Sequence, residues 1–330
     1  MSIRERAQRT VLGDVGGTNV RFAVLSGDVL GPIEHMAVRD HAQFAEALAA
    51  FLARQADRAT IHRAIFGVAG VVEGDRCALT NNPWVVDAAE LCARFRLTRV
   101  HIINDFEALA WSLPHLARDD IAKIGGGAPA KKAPMVVLGP GTGLGVAAYV
   151  PSQYVPSQNE AFVLRSEGGH ATMPSGSLQE DAIIEKLRRA FGHVSAERVL
   201  SGHGLENLYQ AIASIDMLTV PERSASEITR AALEGNCATS RAALDVFCAM
   251  LGEVAGNFAL NFGAQGGVFM AGGIVSHIAE YLPRSQFRAR FDAKGRMQRY
   301  VEVIPVYLIL RDDPAFVGLS SQALQHALKR

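Results

Sequence analysis

The sequence predicts an α/β protein of two lobes with a ligand cleft between them, and three observations lead there. At 330 residues the chain is longer than a single hydrophobic core usually grows. Apolar runs of strand length alternate with stretches of helical periodicity, as in a sheet covered by helices on both faces. One local plan, an apolar strand, a Gly/Thr turn and a second apolar strand, occurs at 11–25 and again at 135–149. Such internal repetition suggests two related halves, each contributing a clamp.

In the first copy, Gly13, Asp14, Val15, Gly16, Gly17 and Thr18 lie between Val11, Leu12 on one side and Val20, Phe22, Val24 on the other. The glycine pair permits a tight hairpin turn. Glycine tolerates φ > 0 and has no Cβ, so an anionic ligand can reach the backbone N–H groups such a turn presents. Thr18 adds a hydroxyl. The Asp14 carboxylate beside an anion cradle makes sense if a hydrated Mg²⁺ lies between the two charges; the plainer reading is an ordinary hairpin with a surface Asp.

Residues 33–38 supply a third strand, and 41–55 carry Phe44, Leu48, Phe51 and Leu52 at helical spacing. The runs 64–72 and 100–105 are apolar without alternation, as strands buried on both faces are, and a helix over 106–116 follows the second. Between them Asn81, Asn82, Pro83 and Trp84 form a turn whose amides can bond a sugar, while the indole either shields that sugar or packs in the core.

Residues 125–134 read as a loop leading into the second hairpin, whose turn holds Gly141, Thr142 and Gly143. The proline-flanked stretch 154–158 reads as a flexible excursion. Helices are predicted over 178–191, 195–215, around 224–234 and over 240–261. The segment 268–275 then opens with a strand that runs into Gly272 and Gly273, either a plain strand-to-helix turn or a place where a flat base lies on the backbone. A late strand spans 301–310, with Pro305 pointing to an edge or a bulge, and Pro314 opens a final helix.

Three places can carry chemistry. Asn104 and Asp105 stand where a buried strand hands over to a helix, the ligand-facing edge of an α/β sheet. Asp105 suits either the base that orients an attacking hydroxyl and takes its proton or the cap of the helix that follows. Glu167 and His170 flank two glycines on a bent backbone, so both can converge on the vicinal hydroxyls of a sugar; alternatively they belong to a solvated loop. Glu197, in the first turn after a candidate cap at Ser195, also reads as a complement to the helix dipole.

Lys+Arg and Asp+Glu both total 33, for a formal net charge of zero. That disfavours a nucleic-acid-binding face. The N-terminal ten residues lack an apolar signal core, and no apolar run approaches membrane-spanning length, so a soluble, cytoplasmic protein without a membrane partner is expected. Cys77, Cys92, Cys237 and Cys248 are far apart, without metal-ligand spacing, and are expected as buried small hydrophobes in a reducing compartment.

In chain order, the motifs at 13–18, 103–106, 139–145, 167–170, 195–202 and 271–274 resemble those of the bacterial glucokinases, in the sugar kinase and actin-like ATPase superfamily, nearly end to end. The resemblance implies a two-lobed actin-like ATPase (ribonuclease H-like) fold, with a small α/β domain at 1–114 completed by a C-terminal helix at 312–330, and a large α/β domain at 115–311. It implies ATP-dependent phosphorylation of D-glucose at the 6-hydroxyl, with Asp105 as base and Asn104, Asp105, Glu167, His170 and Glu197 among the sugar contacts. The two hairpins and Gly272–Gly273 would hold ATP, with Asp14 facing Mg²⁺ through water. Where a related branch carries a cysteine-rich zinc motif, residues 171–177 contain no cysteine, so no zinc is expected. The family is usually dimeric. Other readings are a kinase of mannose or fructose, a sugar-responsive regulator and a non-catalytic assembly protein; the absence of a helix-turn-helix module disfavours the regulator.

Overall fold

The computed structural model describes residues 9–80, 82–154 and 160–328; Asn81 and the excursion over 155–158 lie outside them. The chain forms two compact units, Met1–Leu116 with Asp312–Arg330, and Ala117–Arg311.

The first unit contains β1 (Arg9–Val15), β2 (Asn19–Ser26), β3 (Val29–Leu30), β4 (Glu34–Ala37), α1 (Phe44–Ala53), β5 (Ile61–Val68), β6 (Val72–Glu73), β7 (Arg76–Ala78), β8 (Val85–Asp87), α2 (Ala88–Phe95), β9 (Arg99–Asn104) and α3 (Asp105–Ser112). Its main sheet runs β3-β2-β1-β5-β9, with β4 also on β2, and β6–β8 make a small second sheet. β1 and β2 are antiparallel, whereas β1, β5 and β9 are parallel.

Gly13 faces Phe22 across one pairing and Phe66 across the other. A Cβ there would lie 2.7 Å from the Phe66 ring, so the missing side chain lets an aromatic core close. Phe22 stacks on Phe51 at 5.2 Å and Phe44 meets Phe66 edge-on at 5.0 Å. Burying each such ring stabilises the fold by roughly 1.5–3 kcal/mol. Trp84 joins them 6.0 Å from Phe44, and its indole N–H donates to the His41 carbonyl. It is 2% exposed, so it packs rather than shielding a ligand.

α3 is wedged between β5 and the unit's last helix, Ala315–Leu328. A Cβ at Gly67 would press on Ala108, and one at Gly318 would collide with the Ala108 carbonyl oxygen. The strand-to-helix junction at Asn104 and Asp105 is fixed by this packing.

The second unit contains β10 (Ile121–Gly125), β11 (Met135–Pro140), β12 (Leu144–Val150), β13 (Phe162–Ser166), α4 (Leu178–Phe191), α5 (Gly202–Ile215), α6 (Ala225–Glu234), α7 (Ala238–Asn261), β14 (Gly267–Met270), α8 (Gly273–His277), α9 (Phe287–Asp292), α10 (Gln298–Val301) and β15 (Val306–Ile309). Its sheet runs β10-β15-β14-β11-β12-β13. From the hairpin outward, β13-β12-β11-β14-β15 repeats β4-β2-β1-β5-β9 in order and in strand direction. The repetition seen in the two hairpins thus extends to whole sheets.

Several sequence expectations change here. The strand expected over 64–72 ends at Val68, and Val72 belongs to β6. The helix expected over 195–215 starts at Gly202, with Ser201 as its cap accepting from the Gly204 N–H. By contrast, β14 ends at Met270 and α8 opens at Gly273, so Gly272 and Gly273 make the strand-to-helix turn that was one of their two readings. The late strand is only Val306–Ile309 and lies between β10 and β14, so Pro305 marks no edge; the β10–β15 register does shift between Lys123 and Gly125, which faces Val306, and this bulge adjoins Pro305. Pro305 stands just ahead of the strand, where its carbonyl accepts from the Val268 N–H at 2.9 Å, a position that asks nothing of its own nitrogen.

α7 is long and apolar enough to cross a membrane, yet 78% of its most apolar window is buried within the protein. It packs on α5, α6 and α9. One charged network crosses this interior. Arg290 on α9 grips Glu180 on α4 with two bonds of 2.6 and 3.1 Å, and also meets Glu253 on α7, which binds Lys294. Glu180 is 2% exposed and also accepts from the Gly176 N–H at 2.7 Å.

Replacing Arg290 with Met strands the Glu180 carboxylate without its cation. Urea unfolding should then show a loss of about 3–5 kcal/mol, and the double variant Glu180→Gln/Arg290→Met should recover part of it.

Candidate functional site

In the first unit the site is built on the β1–β2 turn. The ladder runs to Val15 opposite Val20, which leaves Gly16, Gly17 and Thr18 to make the turn. The Gly16 N–H donates to the Asn19 carbonyl at 3.0 Å, and the Thr18 carbonyl accepts from Val38 at 2.9 Å. Asn82 reaches over: its Nδ2 donates to the Gly17 carbonyl at 3.2 Å, while its Oδ1 accepts from the Trp84 N–H at 2.8 Å. Asn82 therefore braces the turn. Gly13 and Val15 are interior, and Thr18 is exposed.

The same register sets Asp14 opposite Arg21. Their ion pair measures 2.8 Å, and Arg21 also lies 2.9 Å from Asp313, which in turn pairs with His35 at 3.0 Å. Burial raises the Asp14 carboxyl above the usual range, Arg21 opposes that, and Asp313 adds to it. Arg21 was absent from the sequence reading, although a turn over 16–18 already places residue 21 beside residue 14. Asp313 carries no such local signal.

At the β9–α3 junction the two readings of Asp105 separate. Asn104 is the cap: its Oδ1 accepts from the Phe106 and Glu107 N–H groups at 2.9 and 3.3 Å. Its Nδ2 donates to the Gly70 carbonyl at 3.1 Å. Asp105 occupies the first helical position, half-buried, with Oδ1 2.9 Å from the Phe106 N–H. Cys77 lies nearby; burial, with the Asp105 charge, pushes its thiol up to about 11.

In the second unit the β11–β12 ladder ends with Pro140 opposite Leu144, so Gly141, Thr142 and Gly143 form the turn. The Gly141 N–H donates to the Gly143 carbonyl at 2.8 Å, and the Gly141 carbonyl accepts from the Gly202 N–H at 2.9 Å. Space above Gly141 is open. Gly272, at φ 96°, would drive a Cβ to 2.6 Å from the Pro140 oxygen, so it and exposed Gly273 are brought beside this hairpin.

Glu167 and His170 are both exposed, on a 3₁₀ turn over Gly168–His170, with Oε2 and Nε2 4.0 Å apart. Gly169 between them is buried, and a Cβ there would collide with the Leu144 carbonyl. Glu197 does not lie on a helix, so the dipole reading falls. It sits in a turn before α5 because the Ala196 and Glu197 N–H groups are drawn to the Ala171 and Gly169 carbonyls, each at 2.8 Å. Its Oε2 accepts from the Leu144 N–H at 3.0 Å. The 141–143 turn, Glu167, His170 and Glu197 are thereby gathered in one region of this unit.

The glucokinase family model matches residues 11–326. A glucokinase of Paramagnetospirillum magneticum is 45% identical over 316 residues, covering 95% of this chain and 97% of that protein. Among solved structures, a glucokinase from an Antarctic psychrotroph superposes with a TM-score of 0.84 at 31% identity, covering 97% of this chain and 99% of that one. A Balamuthia mandrillaris glucokinase, determined in complex with glucose, shares the fold with a TM-score of 0.78 at 20% identity, covering 98% and 95%.

The thiols offer a direct check on this geometry. Cys248 is pushed up to about 12 by burial. Cys237 moves the other way: burial alone would raise it, but hydrogen bonds from Ser240 at the start of α7, with Arg223, lower it. A thiol reagent at pH 8 should therefore label Cys237 before Cys77 or Cys248, read by peptide mass spectrometry.

Proposed function

The chain belongs to the glucokinase family and is a glucokinase, and from that premise we propose that Asp105 is the base that receives the proton of the glucose 6-hydroxyl as it attacks the γ-phosphoryl of ATP. The observation that carries this is the capping of α3 by Asn104. The cap position is filled by that amide, and the Asp105 carboxylate, which accepts from the Phe106 N–H, stands one residue further on in the first turn. The ionised form is the one able to orient a hydroxyl and accept its proton.

Glu167, His170 and Glu197 are the proposed sugar contacts, two carboxylate acceptors and an imidazole suited to ring hydroxyls. Asn104 and Asn82 support the site through the backbone they brace. The turns at 16–18 and 141–143 are proposed to hold the phosphates by backbone N–H groups, with Gly272 and Gly273 beside the base. Gly13 and Val15 contribute by placing the first turn.

Among the described residues no group of three or more His, Cys, Asp or Glu side chains could hold a metal. That suits Mg²⁺, which binds chiefly through substrate phosphates and water with one or two carboxylates, and Asp14 is the carboxylate proposed to meet it through water. Bound there, the cation neutralises charge on the transferring phosphoryl group. No zinc is part of the proposal. A cytoplasmic homodimer completes it, tested by light scattering of the purified protein.

Asp105→Asn should lower kcat by about 10²- to 10⁴-fold while calorimetry still detects glucose binding; near-normal kcat would remove Asp105 from the role. In a coupled assay of ADP release over glucose, mannose and fructose, glucose should give the highest kcat/KM, and in an assay of glucose 6-phosphate formation polyphosphate should not replace ATP.

A further inference from the structure

We propose that Glu197 is a positioning residue that couples the two ligands: one of its carboxylate oxygens holds the 141–143 turn in shape for the nucleotide, and the other receives a sugar hydroxyl. The inference rests on the reading of Glu197 as a sugar contact and of that turn as a phosphate contact.

The turn has no side chains of its own to stiffen it beyond Thr142. It is held at both ends by the segment 197–202. Glu197 Oε2 takes the Leu144 N–H, where the turn becomes β12, and the Gly202 N–H takes the Gly141 carbonyl, where β11 ends. Ser201 ties the segment together through a 2.8 Å bond from its hydroxyl to the Glu197 carbonyl. Gly143 leaves the carboxylate room: a Cβ there would overlap Oε2.

The backbone of Glu197 is tied to the segment proposed to bind the sugar. Its N–H is bonded to the Gly169 carbonyl, between Glu167 and His170. Among the described residues its Oε1 has no hydrogen-bond partner. A hydroxyl donated to Oε1 restricts three rotatable bonds of the side chain, and with them the bond to Leu144. The turn is then already ordered when phosphate oxygens arrive. Coupling of this kind needs no displacement, only freedom already lost to the first ligand, and it must act equally in both directions.

The test measures Mg²⁺–ADP binding by calorimetry with and without saturating glucose, and glucose binding with and without Mg²⁺–ADP. Each ligand should tighten the other by the same factor, about fivefold or more. Gly143→Ala introduces a Cβ that moves only the end of a flexible side chain, at a position without positive φ; it should bring the factor close to one while both ligands still bind. Glu197→Asp, one methylene too short to reach both partners, should do the same and serves as the second variant if Gly143→Ala is unstable. A merely structural role would lower the melting temperature and weaken both affinities together, leaving their coupling unchanged. A wild-type factor of one, or an unchanged factor in both variants, overturns the inference. If Glu197→Ala leaves glucose affinity unaltered, the assignment of Glu197 to the sugar fails as well.

Discussion

A turn that grips an anion with bare backbone cannot rely on its own side chains to keep its shape. The shape has to come from the strands beneath and from whatever reaches over the top. Both hairpins obey this constraint, by different means. In the first, the ladder carries the strands to the last residue before the bend, and Asn82 and Val38 pin the carbonyls of Gly17 and Thr18. In the second, a separate segment holds both ends at once, through a carboxylate and a backbone amide. The proposed phosphate contacts depend on these braces more than on any residue within the turns.

The two units share a strand order but are stabilised differently. Around Gly13 the first is aromatic, with rings meeting edge and face. The second has a mixed interior built on α7, with Phe247, Phe287 and Phe291 buried among aliphatic side chains, and it is crossed by charges that are satisfied in place. Such a network gives little net stability but strongly penalises losing one member. Its bond to Gly176 anchors the chain leading from His170 into α4, so the unit proposed to hold the sugar gains a fixed support behind its exposed residues.

Much of this was legible because the informative residues act locally. The glycine-rich bends, the strands that flank them and the helix Leu178–Phe191 follow from periodicity and turn chemistry, which need no distant partner. The errors fall where a distant partner decides. Ser195 and Ser201 both look like helix caps, and only the pull of the Ala171 and Gly169 carbonyls on residues 196 and 197 makes the later serine the true one. Pro305 is compatible with an edge or a bulge, and only the pairing of the strand with β10 on one side and β14 on the other removes the edge and leaves the bulge. Which of Asn104 and Asp105 caps α3 could not be read from sequence, since both residue types cap helices well; the Asn104 oxygen accepting from the Phe106 and Glu107 N–H groups decides it.

The first unit is not continuous in the chain: its last helix arrives only after the whole second unit has been spelled out. During synthesis the second unit is contiguous and can finish while the earlier-made strands still lack the helix that Gly318 seats against Ala108. Closing so long a loop adds only a few kcal/mol of entropy, because the cost grows with the logarithm of length. The order of assembly is nonetheless inverted relative to the order of translation. The segment bearing Asp105 acquires the support of that helix only after residues 117–311 have been made.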